Sequence, residues 1–242
     1  GTSASAGQFV DIAGGTAESP VRLIGYMARP PGEGPFPAVV LLHGCGGFHS
    51  NMISWADRLS RWGYVTLAVD SFGPRGFNEL CSGIVSTYQA IDGYAALRHL
   101  AAKPFIRASR VAVMGFSQGG WAVLESLDKG VMEHLFRDKF RAGIALYPLC
   151  QYTSGIMTRP GLVLAGGPDT WTPASQCEAM AAGRSELGSP RKPGDRSALE
   201  LVVYPGVHHG FAFPQRAIYD KPAAEQHWER LLSLYRRKLG TA

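Results

Sequence analysis

With 242 residues, 45% hydrophobic and 18% charged, the chain carries enough apolar side chains for a large core and too few charges for a disordered segment. Its formal net charge is +5, but the basic residues are scattered, the nearest cluster being Arg236, Arg237 and Lys238 in a predicted C-terminal helix. With no basic stripe or recognised motif beside that charge, nucleic acid is not expected as a partner. No apolar run approaches the ~20 residues that a membrane helix needs, so no membrane partner is expected either.

The opening GTSASAG (1–7) is small, polar and flexible, and reads as the remnant of a processed leader or of a tag, outside the fold. QFVDIA (8–13) and VRLIGYMARP (21–30) predict an antiparallel hairpin at one sheet edge. From Phe36 onward, apolar runs of strand length alternate with segments of helical periodicity. The runs are AVVLLHG (38–44), YVTLAVD (64–70), RVAVMGFS (110–117), RAGIALYP (141–148), GLVLAGG (161–167) and LELVVYPG (199–206). They are rich in Val, Leu and Ile without clean alternation, as expected of parallel strands covered on both faces.

Ala90, Tyr94, Leu97 and Ala101 line one face of a helix between two of these runs, and Trp228, Leu231, Leu232, Tyr235 and Leu239 line another at the C-terminus. Repeated strand and helix units predict an α/β fold: a mostly parallel, doubly wound sheet of about seven to eight strands flanked by helices. The polar stretch 188–198 joins a helix to a strand and reads as a surface loop. One domain spanning 1–242 is expected, since neither a second core nor a linker is visible.

VAVMGFSQGGWAV (111–123) is the stretch that carries chemistry. Within it, Gly-x-Ser-x-Gly lies between a buried strand and an apolar helix, the context of a nucleophile elbow in which Gly115 and Gly119 let the backbone turn sharply beneath Ser117. The alternative is a structural serine in a tight turn. A serine nucleophile needs a base, an acid that orients the base, and donors for the oxyanion.

Asp169, after the 161–167 run, is placed to be that acid, although a strand-end aspartate can also cap the next helix. Asp195 is its rival, and lies in the polar loop before the last strand, on the side opposite the nucleophile. For the base, the loop after the last strand offers His208 and His209 side by side, which adjacency alone does not separate. His49, His99, His134 and His227 have no comparable context; His43 stands apart because it borders the glycine-rich LLHGCGGF (41–48). That loop lacks the Gly-Lys-Ser/Thr of a phosphate loop. Beside an elbow it would supply one oxyanion N–H, from Cys45, with the other from Gln118. The order Ser117, Asp169, His209 is that of α/β-hydrolase triads.

These motifs together resemble the dienelactone hydrolase family of α/β-hydrolases. The resemblance rests on HGCGG (43–47), DSFGPRG (70–76), GFSQGG (115–120), GGPDTWTP (166–173) and YPGVHHGF (204–211), spread from about residue 38 to the end. It implies His209 as the base, since the family's histidine follows its tyrosine, here Tyr204, by five residues. It also supports Asp169, four residues before Pro173. Two departures bear on substrate: the family's enzymes proper use a cysteine nucleophile with a strand glutamate, where this chain has Ser117 and Leu41, and their carboxylate-binding arginine is replaced by Phe213.

Arg75 is either an anion clamp or a residue that orders its own loop. Phe48, Phe72, Trp171, Phe211 and Phe213 fall in loops at strand ends, where they could wall a substrate pocket. Cys45 and Cys81 follow neighbouring strands, as do Cys150 and Cys177, so these are reasonable pairings if disulfides form. A leader and disulfides would together favour a periplasmic or secreted protein.

The expected activity is hydrolysis of a small-molecule carboxylic ester or lactone through an acyl-enzyme, without metal or organic cofactor. A peptidase or acyl-aminoacyl hydrolase of the same chemistry is the nearest rival, and a catalytically silent binding protein the other. The sequence sets no oligomeric state, and a monomer is compatible with it.

Overall fold

The computed structural model describes residues 7–82, 87–195, 197–213, 233, 236 and 237. The strands in chain order are β1 (Gln8–Gly15), β2 (Pro20–Ala28), β3 (Phe36–Leu42), β4 (Val65–Asp70), β5 (Ile106–Phe116), β6 (Gly143–Leu146), β7 (Gly161–Gly166) and β8 (Leu199–Tyr204). They form one eight-stranded sheet in the order β1-β2-β4-β3-β5-β6-β7-β8. β1 and β2 are the expected antiparallel hairpin at one edge, β2 meets β4 antiparallel, and every later pairing is parallel.

β3 shows why the central strands read as continuous apolar runs, for it is buried at every position. Its alternate residues enter two separate cores: Ala38, Val40 and Leu42 lie on one side of the sheet with Tyr94 and Val123, while Val39 and Leu41 lie on the other with Trp55 and Leu59. Helices α1 (Ser50–Arg61), α2 (Tyr88–Ala101) and α3 (Gln118–Leu127) cover these faces, followed by α4 (Val131–Leu135) and α5 (Ala174–Ala181). In α2, Ala90, Tyr94 and Leu97 are buried as their spacing predicts. The predicted C-terminal stripe from Trp228 to Leu239 lies outside the described residues.

β6 is shorter than its apolar run, because Tyr147 leaves the sheet with φ at +38°. Since the central strands are parallel, their C-terminal ends share one edge, and the loops after β3, β5, β7 and β8 emerge there together.

Candidate active site

Ser117 stands between the end of β5 and the first residue of α3, with φ 54° and ψ −115°, a conformation that a non-glycine residue adopts only when its surroundings force it. The forcing is visible in its neighbours. A Cβ on Gly115 would come within 2.1 Å of the Gly119 carbonyl oxygen, and one on Gly119 within 2.4 Å of the carbonyl oxygens of Leu42 and His43. Both glycines are therefore required by close backbone approach.

Asp169 and His209 come to the serine from the loops after β7 and β8. His209 Nε2 lies 3.0 Å from Ser117 Oγ and accepts its hydroxyl proton in the neutral ring; Nδ1 donates to Asp169 Oδ2 at 2.8 Å. The other carboxylate oxygen, Oδ1, accepts the backbone N–H groups of Trp171 (2.8 Å) and Thr172 (3.0 Å). Burial pushes the Asp169 carboxyl up, and the hydrogen bonds from His209 and Thr172 outweigh it, leaving the group below the usual carboxylate range. His208 is exposed while His209 is buried, which separates the two candidates. Asp195 pairs with Lys129 instead.

The loop after β3 packs on the serine: a Cβ on Gly44 would be 3.5 Å from Ser117 Cβ. Cys45, next in the chain, accepts the Leu80 N–H on its carbonyl (2.8 Å) and is bonded to Cys81. Gln118 opens α3, so its N–H has no partner within the helix. Cys150 and Cys177 form the second disulfide, so both pairings are those considered from the sequence.

His43, set apart from the other histidines in the sequence, is a fully buried structural residue. Its Nδ1 donates to the Gly44 carbonyl (2.7 Å) and its Nε2 accepts the Ser71 N–H (3.2 Å). Burial holds its ring down at about 4, against an ordinary value of 6.5, so it is neutral across physiological pH.

Arg75 takes the second of its two roles. Its Nη1 donates to Asp92 Oδ2 (2.7 Å) and the Ser71 carbonyl (2.7 Å), and Nη2 donates to Asp92 Oδ1 (2.9 Å). With its fork closed on a buried carboxylate it orders its own loop and is not an anion clamp.

Most of the aromatic candidates are also corrected. Phe211 (0% exposed), Phe213 (8%) and Phe72 (2%) are core residues, Phe72 packing against the His43 ring. Phe48 is half-buried on the second core. Only Trp171 fits a pocket wall among them: it is 66% exposed, and its ring stacks on His209 at 5.4 Å between centroids.

Two residues at the site were not read from the sequence. Thr172 Oγ1 donates to Asp169 Oδ2 (2.8 Å) and lies 3.1 Å from the Tyr147 carbonyl, and Tyr147 sets its ring edge-on to His209 at 4.8 Å. The signal for Thr172 was present in PDTWTP, where a hydroxyl follows the acid by three residues, the reach of an Asx-type turn.

A family model described as the dienelactone hydrolase family matches residues 23–239. The chain belongs to the dienelactone hydrolase family. Among curated members of related sequence is a Synechocystis sp. protein named provisionally as a carboxymethylenebutenolidase, 24% identical over 241 residues, covering 90% of this chain and 93% of its own length. Solved structures of the same fold include a dienelactone hydrolase-like promiscuous phosphotriesterase from metagenomic libraries, with TM-score 0.77 and 20% identity over 98% of this chain and all of the other. Thermogutta terrifontis esterase 2 aligns with TM-score 0.68 and 16% identity over 96% of both chains. For a dienelactone hydrolase family member, the Ser117, Asp169 and His209 cluster lies where an α/β-hydrolase site is expected, beyond the C-terminal edge of the sheet.

Proposed function

We propose that this protein is a serine hydrolase of carboxylic esters or lactones, with Ser117 as nucleophile, His209 as general base and Asp169 as the group that orients it. The observation that carries this reading is the unbroken hydrogen-bond chain from Asp169 Oδ2 through both ring nitrogens of His209 to Ser117 Oγ. Family membership supports the hydrolase chemistry, and the relative named as a carboxymethylenebutenolidase supports lactones within the substrate range.

In the proposed reaction, Ser117 Oγ attacks the acyl carbon as His209 Nε2 takes its proton; Asp169 stabilises the imidazolium that forms without itself becoming protonated. The backbone N–H groups of Cys45 and Gln118 receive the oxyanion, each such donor being worth about 3–4 kcal/mol in the transition state. His209 then returns the proton to the leaving alkoxide. Water, deprotonated by the same nitrogen, attacks the acyl-enzyme and releases the acid. In a lactone both products are parts of one chain, which is freed only in the second step.

The test is turnover of p-nitrophenyl esters of increasing acyl length, an enol-lactone and a matched amide, by the wild type and Ser117→Ala. Ester or lactone turnover well above amide turnover is expected, with a loss of at least about four orders of magnitude in kcat for the variant. An unaffected variant would remove Ser117 from the mechanism. Preference for the amide would favour a peptidase, and a folded wild type that turns over nothing and is not labelled by a fluorophosphonate would be a binding protein.

A further inference from the structure

A cluster of basic side chains lies at the opposite end of the sheet, where the strands begin. The pairing of β6 with β7 sets Gly143 beside Gly161, and two residues earlier on each chain stands an arginine, Arg141 and Arg159. The lead-in to β6 keeps its place beside β5, with the Arg141 N–H donating to the Val111 carbonyl (2.7 Å). Each arginine thus stands two residues ahead of a paired strand start, which brings two like charges to one end of the sheet, where they repel.

Arg110 on β5, Lys139 and Arg237 join them around a surface cavity of about 560 Å³ that no Asp or Glu lines among the described residues. Arg141 and Arg159 are exposed and make no side-chain hydrogen bond or ion pair among the described residues. Lys139 and Arg237 are turned to local acceptors, the carbonyls of Glu133 and Phe136 for the first and Ser233 Oγ for the second. They add charge to the cavity while leaving the paired forks of Arg141 and Arg159 as its open donors. The exposed charges of Arg141 and Arg159, unpaired among the described residues, attract anions, and planar guanidinium forks fit the oxygen geometry of a phosphate group. Two open guanidinium forks at one small depression suit a compact anion, whereas a nucleic-acid duplex calls for an extended basic stripe.

We propose that this cavity binds a phosphate-bearing anion through Arg141 and Arg159, independently of the hydrolase site. The phosphate can belong to a soluble oligophosphate or to a lipid headgroup. Tripolyphosphate measured by calorimetry, and co-sedimentation with vesicles of phosphatidylglycerol in phosphatidylcholine against phosphatidylcholine alone, distinguish the two sources. The wild type is compared with Arg141→Ser/Arg159→Ser and with Arg61→Ser/Arg184→Ser, which removes the same charge from exposed arginines elsewhere.

The first pair is expected to weaken binding at least ~10-fold and the control pair much less, with ester turnover unchanged in both. Binding to tripolyphosphate without vesicle binding assigns a soluble ligand, and vesicle binding lost in the first pair assigns a headgroup. Equal weakening in both pairs, or no wild-type binding to either probe, overturns the proposal. Arg141→Lys/Arg159→Lys keeps the charge without the forks and serves where the serine pair fails to fold; unweakened binding in it also overturns the proposal.

Discussion

Thr172 is the residue through which the position of the proposed base is most exposed to a single change. Its hydroxyl donates to the same Asp169 oxygen that receives His209 Nδ1–H, so Thr172→Val leaves that oxygen held by His209 alone while the backbone N–H groups still hold the other. A hydrogen bond to a charged group contributes about 1.5–3 kcal/mol, and on transfer to the barrier this predicts kcat about 10-fold lower or more, with KM little changed. Steady-state kinetics on one ester checks it, and a change confined to KM would assign Thr172 to substrate binding instead.

Glu125 on α3 makes a contrasting prediction about stability. Burial, with Asp128 nearby, pushes its carboxyl up to about 8 from 4.5, and its Oε2 is buried without a partner. The folded protein thus keeps a proton that the unfolded chain gives up between pH 4.5 and 8, so Glu125 costs stability increasingly as pH rises through that window. Glu125→Gln, which has no proton to lose, should match the wild type in Tm near pH 4.5 and exceed it by about 5 °C at pH 8. Equal melting curves at pH 8 would show that water reaches the carboxylate.

Among the elements, the loop after β3 is the one held by the most varied means: the His43 ring, the Leu80 N–H and the Cys45–Cys81 bond all fix it against Ser117. The two disulfides differ in access. Cys81 is exposed, whereas Cys150 and Cys177 are both buried. Mild thiol reduction of the folded protein should therefore open Cys45–Cys81 first, seen as two alkylated cysteines by mass spectrometry, with kcat falling before Tm collapses. Simultaneous alkylation of all four would mean that reduction follows global unfolding.

The strands and the serine, aspartate and histidine loops were legible because parallel burial writes continuous apolar runs, and each run ends where chain direction requires a loop. What stayed illegible depended on partners distant in sequence. Arg75 was read with two roles because its choice rests on Asp92, a turn into α2. Phe211 and Phe213 follow the base and so suggested a pocket wall, but the rings of Tyr204, Tyr147 and Phe116 draw them into the core. The early end of β6 depends on the left-handed turn at Tyr147, for which a tyrosine gives no sequence signal.

On the scale of the whole molecule, the parallel sheet separates two kinds of chemistry along one axis. Its C-terminal edge gathers the neutral and acidic groups around Ser117, while the entries to β6 and β7 carry Arg141 and Arg159. Arg141 and Arg159 thus place exposed positive charge at the edge opposite Ser117, and a patch of one sign exerts torque as well as attraction. Near a negatively charged interface the protein would rotate its strand entries inward before contact. Ser117 and the exposed Trp171 ring would then point away into the bulk phase, open to arriving esters and free to shed acid without obstruction.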